Sequence, residues 1–335
     1  MRLRSIRIFA LTLYVLLLLG AKELYCTEKK DLYQIVFIHI GPSLPPYIKT
    51  ALAQARLFNE ECPIVLIANA EAIKNFSSSS NISLVSCESL PLTDEHKTFQ
   101  RETKFSDQIN GGYLRYTSER FFYLYDYMIA YETESLFHLE SDVLLYTDLK
   151  EPLSLFKQLY PGIATTFENE FKGIAGFVFI HRTEAMKKLV RYFIDKAPKR
   201  MNDMAVLGAF WREHSEVIDC LPMIMRQYFF DTIPKQSSQF LKRKLIFCNH
   251  IDEFISIFDG ATIGVFFDGL DPAKGNFPTK VLIKQPFDPS LIDYRWIEDD
   301  KGRRIPYIIY KHEAYKINNL HIASKRLEKY TSEKL

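Results

Sequence analysis

An α/β fold around a mostly parallel central sheet, with helices on both faces, is what this sequence predicts, on three observations. Apolar runs of strand length alternate with stretches of helical spacing. The strand–helix–strand rhythm leaves room for right-handed crossovers between neighbouring parallel strands. Of the 335 residues, 47% are hydrophobic, enough apolar surface to offset the entropy of ordering a core and to exclude a disordered chain.

The elements follow in order from Tyr33. A strand is expected over Ile35 to Ile40 (IVFIHI), ended by Gly41-Pro42. Next comes a helix from Tyr47, with Ile48, Leu52, Ala55 and Phe58 on one side. IVLIA, Ile64 to Ala68, is the second strand, and a third begins at Ile82. Leu92 to Gly112 is polar and without period, which predicts a surface loop near the site. Tyr113 to Tyr131 reads as a helix, with Leu114, Phe121, Leu124, Tyr125 and Met128 on one side. A short strand from Leu136 runs into Glu140-Ser141-Asp142 and is followed by Val143 to Tyr146. A helix opening on Pro152, strands near Gly162 and Ala175, and helices from Thr183 and Asp203 complete the regular part, with Asn202 placed to cap the last. Beyond Cys220 the chain reads as irregular. Residues 31–330 carry no repeat or linker and are expected to form one domain.

The 43 Lys+Arg against 41 Asp+Glu give a net charge of +2, which excludes a broadly basic nucleic-acid binder. The 14% aromatic content suits both a core and a sugar-binding surface. No CxxC pair occurs among the five cysteines, so a zinc ribbon or thioredoxin-type site is not expected. Cys62, Cys87, Cys220 and Cys248 suffice for two disulfides in an oxidising compartment, or stand as buried thiols.

The first 30 residues read as a signal peptide or signal anchor. Arg2, Arg4 and Arg7 precede the apolar run Ile8 to Ala21, which has signal length and is short for a spanning helix. Cleavage and anchoring both stay open. The arginines would remain cytoplasmic, sending the rest of the chain across the membrane: a type II, Golgi-like placement in a eukaryote, or export after cleavage. Asn75-Phe76-Ser77 and Asn81-Ile82-Ser83 are sequons, which have meaning only in a eukaryotic lumen.

The sharpest chemical feature is FHLESDVLLYTDL, Phe137 to Leu149. A buried strand ends and two carboxylates follow at i and i+2, a spacing that in extended backbone puts Glu140 and Asp142 on one face. Their hard oxygens suit Mn²⁺ or Mg²⁺, which would hold a diphosphate. The competing reading is an acidic turn at a strand end.

HLESDVLLYTDL resembles the DxD-type motif of GT-A glycosyltransferases, present here as Glu-Ser-Asp. The opening strand with Gly41, the helix YTSERFFYLYDYM, GIAGFVFIH, IFDGATIGVFFDGLDP and NLHIASK fall in the order of that family, from about Tyr33 to Leu327. The resemblance implies the nucleotide-diphospho-sugar transferase fold and transfer of a sugar from a nucleotide diphosphate to a glycan, protein or lipid acceptor. It implies His321 as a third metal ligand, Lys325 as a diphosphate contact, and Arg120 rather than Arg115 as a phosphate or sugar contact. His39 and Gly41 end the first strand, where open parallel sheets bind nucleotides. An inverting enzyme needs a carboxylate base to activate the acceptor hydroxyl, and Asp203 and Asp259 are the candidates. A retaining enzyme needs none. An Asp-Gly turn equally explains Asp259.

Two rivals stand beside this reading: a non-catalytic sugar- or nucleotide-binding descendant, and a metal-dependent phosphoester hydrolase, for which the chain shows too few clustered His and Asp. An exported domain also needs nucleotide sugars in its compartment, which a Golgi lumen supplies and a bacterial periplasm does not.

Overall fold

The computed structural model describes residues 33–77, 81–105, 112–234, 238–270 and 286–333. The expected signal segment and Cys26 lie outside them. Residues from Gln34 onward form one unit. Among the described residues no helix is long and apolar enough to cross a membrane.

Strands β1 (Gln34–His39), β2 (Ile64–Ala68) and β3 (Ser83–Ser86) pair in parallel, and β1 pairs in parallel on its other side with β4 (Ser135–Leu139). Beyond them lie β6 (Ile163–Asn169), β7 (Lys172–His181) and β8 (Ile218–Cys220), giving the order β3-β2-β1-β4-β7-β6-β8. Only β7 runs against the others, because a tight turn joins it to β6. The chain steps outward from β1 to β3 and then crosses back to β4. Right-handed connections in these opposite directions put helices on opposite faces. The α/β class and the mostly parallel sheet are as the sequence predicts. Every side chain of β2 and β4 is buried, and β2 accordingly reads as an unbroken apolar run rather than an alternating one.

The helices Ile48–Phe58, Tyr113–Ala130, Leu153–Leu159, Thr183–Lys196 and Asp203–Glu213 occur where the apolar spacing puts them. The Asn202 side chain accepts from Ala205 N at 3.0 Å and caps the last of these. Cys87, Cys220 and Cys248 are buried free thiols, and Cys62 is buried as well.

Two expectations need correction. The expected loop at Leu92 contains the helix Asp94–Glu102, capped by Thr93. Its inner face consists of Phe99 and the polar His96, both buried, so hydrophobic periodicity does not detect it. The stretch beyond Cys220 is also less irregular than it reads. It holds β9 (Ser256–Ile257), β10 (Asp293–Glu298), β11 (Arg304–Tyr310) and β12 (Glu313–Ile317) in a second sheet, ordered β10-β11-β12-β9. Only Tyr294 and Trp296 of β10 are half-buried and its other residues are exposed, so its charged sequence DYRWIE gives no apolar run to recognise. Finally β5 (Val143–Leu145) pairs antiparallel with β13 (Asn319–His321).

Candidate active site

β4 delivers Glu140 to the carboxyl edge of the sheet, and the Glu140 amide donates to Gly176 O at 3.0 Å. The backbone then turns instead of staying extended, with Val143 N donating to Glu140 O at 3.1 Å. The two carboxylates are therefore neighbours by a turn, a correction to the extended-strand argument. The turn leads into β5, whose ladder with β13 sets His321 opposite Val143. Ile322 N donates to Asp142 O at 2.9 Å and fixes the register.

This ladder brings together residues about 180 apart in sequence. His321 Nε2 lies 3.2 Å from Asp142 Oδ2 and 3.5 Å from Glu140 Oε2. One ligand atom from each of Glu140, Asp142 and His321 falls within 4.8 Å of the others. Lys325, held at φ 68° in the turn after β13, pairs its ammonium with Asp142. Arg120, buried on the helix Tyr113–Ala130, bridges Glu140 and Asp203, the latter at 2.5 Å. Arg115 instead pairs with Glu119 at 3.2 Å, so the two arginines serve different faces.

Burial pushes the Asp142 carboxyl up, but His321 and Lys325 outweigh it and hold Asp142 well below the usual carboxylate range. Burial likewise opposes ionisation of Glu140, and Arg120 and His321 overcome it. Burial pushes His321 down, yet Asp142 and Glu140 raise it above the ordinary histidine value. The site thus keeps its carboxylates charged by surrounding them with cations.

Two glycines make room for His321, Gly176 for its ring and Gly264 for its backbone carbonyl. A Cβ on Gly176 would stand 2.6 Å from His321 Nδ1, and one on Gly264 would stand 2.0 Å from His321 O. Asp259 fixes the same segment. Its Oδ1 accepts from Ile263 N at 2.9 Å, and its Oδ2 from Gly264 N at 3.0 Å and His321 N at 3.1 Å. With 1% exposure and both oxygens engaged by backbone amides, Asp259 has the geometry of an anchor for the His321 segment. Asp203, the other candidate base, faces the site through its bond to Arg120.

At the end of β1, His39 Nε2 donates to Ser43 O at 2.8 Å and Gly41 N donates to Asn69 Oδ1 at 2.8 Å. Asn69 in turn donates to Glu88 Oε1 at 2.9 Å, tying together the ends of β1, β2 and β3. Sequence reasoning missed Asn69 and Glu88. The rule that singled out His39, a polar residue directly after a buried parallel strand, applies equally to Asn69 after IVLIA. Tyr113, beside Glu140 and Asp203, was also missed, since nothing local distinguishes it from the other tyrosines of its helix.

No protein-family model matches the chain, and no curated protein sequence matches it. Solved structures do. Mouse xyloside xylosyltransferase 1 is 12% identical over 65% of this chain and 94% of its own, with a TM-score of 0.41. Galactosyltransferase LgtC is 11% identical over 64% and 83%, at 0.37. The glycosyltransferase GlyE of Streptococcus pneumoniae TIGR4 is 14% identical over 64% of this chain and 51% of its own, also at 0.37. These are likenesses of chain path, and the functional reading below rests on the residues of this chain.

Proposed function

We propose that this chain is a glycosyltransferase of the GT-A type, taking a sugar from a nucleotide diphosphate to a glycan, protein or lipid acceptor. The observation that carries the reading is the convergence of Glu140, Asp142 and His321 within 4.8 Å at the carboxyl edge of a parallel sheet, flanked by Arg120 and Lys325. Two carboxylates and an imidazole suit Mn²⁺, or Mg²⁺ if water completes the set. A divalent cation held there would offset charge developing on the leaving diphosphate. Lys325 and Arg120 would bind the phosphate oxygens, and their present pairing with Asp142 and Glu140 marks them as within reach of the same atoms. The nucleoside would lie toward Gly41, Asn69 and Glu88, at the ends of β1 to β3.

Asp203 is assigned to orienting Arg120 and a sugar hydroxyl, because its Oδ2 already holds the Arg120 guanidinium at 2.5 Å. Asp259 is assigned to holding His321. The non-catalytic reading draws on the same ion pairs, which leave Glu140 and Asp142 satisfied by this chain's own cations. Titrating Mn²⁺ with a panel of nucleotide sugars by calorimetry, followed by a donor-hydrolysis assay without acceptor, separates the two. Binding with turnover supports transfer, binding without turnover supports the descendant, and absence of metal-dependent binding overturns both. Residues 1–30 are assigned to membrane targeting by their sequence alone.

A further inference from the structure

We propose that the rim beside Asp203, built from the β6–β7 turn and the helix Ser238–Leu245, is the landing surface for an anionic saccharide acceptor. It rests on the donor site proposed above and adds the substrate class for the other half of the reaction.

Topology places this rim. β6 runs parallel to β4, so its end and the start of β7 lie at the same sheet edge as Glu140, on the side away from β1 to β3. A nucleotide reaching toward Asn69 and Glu88 leaves this half open for the second substrate. Two links tie the rim to the site. A Cβ on Gly208 would meet the Phe171 carbonyl carbon at 2.1 Å, so the turn rests on the helix Asp203–Glu213, whose first residue is Asp203. On the other side Met223 N donates to Phe247 O at 2.8 Å, and the Met223 Cε would lie 2.8 Å from a Cβ on Gly260, the neighbour of Asp259.

The surface is aromatic and cationic together. Phe171 is 57% exposed and Phe240 53%. Arg212 stands 4.8 Å from the Phe171 ring centroid, and the Lys244 ammonium 5.6 Å from that of Phe240. Lys242 and Arg243 are exposed next to them, and residues 238–248 contain no acid. Arg243 lies 4.0 Å from Glu170, which joins the helix to the turn, and Glu168 beside the turn is paired with Lys172 at 3.4 Å. Flat apolar rings suit the C–H faces of sugars, and adjacent guanidinium and ammonium groups suit their carboxylate, sulfate or phosphate substituents. A bilayer would use the same charges, but only a saccharide also needs the link to Asp203.

The test uses the full chain and three labelled probes followed by fluorescence anisotropy at low and high salt: a heparin-derived octasaccharide, its desulfated counterpart and a neutral dextran oligomer. Vesicles containing phosphatidylglycerol are the fourth arm. The sulfated probe should bind with marked salt dependence and the dextran should not. Lys242→Gln with Arg243→Gln should weaken it about tenfold, and Phe240→Ala several-fold, with unchanged thermal unfolding because all three side chains are exposed. Asp142→Asn should leave this binding intact while removing donor binding, so the two readings fail separately. Equal binding of neutral and sulfated probes, insensitivity to the variants, or variant-sensitive binding to vesicles alone would overturn the proposal.

Discussion

Gly176 tolerates a side chain less well than any local rule implies, because the His321 ring occupies the space a Cβ would take. Gly176→Ala should cost roughly 1–3 kcal/mol of stability as an overpacking change. By pushing the imidazole from the carboxylates it should also weaken Mn²⁺ binding about 10–100-fold, as losses of supporting groups do. Calorimetric titration of Mn²⁺ beside a denaturation curve reads both effects, and a stability loss with unchanged metal affinity would remove His321 from the site. Asp142→Asn is the direct counterpart. It removes a ligand charge at a turn whose backbone bonds do not involve the carboxylate, so the fold should survive. Mn²⁺-dependent donor binding should fall by more than about 100-fold, beyond what a supporting group costs.

Among elements, the helices Asp94–Glu102 and Tyr113–Ala130 are joined by a charged cluster beside the stacked rings of Phe99 and Phe122. His96 Nδ1 donates to Asp126 Oδ2 at 2.5 Å and Nε2 to Glu119 Oε1 at 3.2 Å, with His96 and Asp126 wholly buried. Gln100 and Arg115 also donate to Glu119. Carboxylates on both ring nitrogens favour the doubly protonated imidazole. Burial pushes His96 down, and the two carboxylates more than reverse it, so its folded pKa lies above the ordinary 6.5. Its contribution is therefore full below about pH 6.5 and is lost as pH rises through the folded value. His96→Ala should cost roughly 3–5 kcal/mol at neutral pH, since it leaves buried carboxylates unpaired. Urea midpoints at pH 6 and pH 9 should differ more for the natural chain than for this variant, and an equal difference would show that His96 is uncharged.

At the scale of the whole molecule, the basic and apolar character of residues 1–30 carries the targeting proposal. Residues 1–30 fused to a reporter should send it to membranes in a fractionation experiment, and a wholly soluble reporter would defeat the targeting assignment.

Short-range signals account for what the sequence determined alone. Apolar runs located β1, β2 and β4, Asn202 announced its helix, and the acidic pair at the end of β4 marked one wall of the site. Each depends on neighbours within a few residues, which is the range over which periodicity, capping and turn chemistry act. The tertiary structure decided the rest. Only the β5–β13 ladder sets His321 and Lys325 against Asp142, and its two strands come from distant parts of the chain. Only the folded structure shows that Asp259 is engaged by three backbone amides, and that Arg120 reaches Glu140 and Asp203. A polar side chain takes its role from partners that folding supplies, and those partners lie tens to hundreds of residues away.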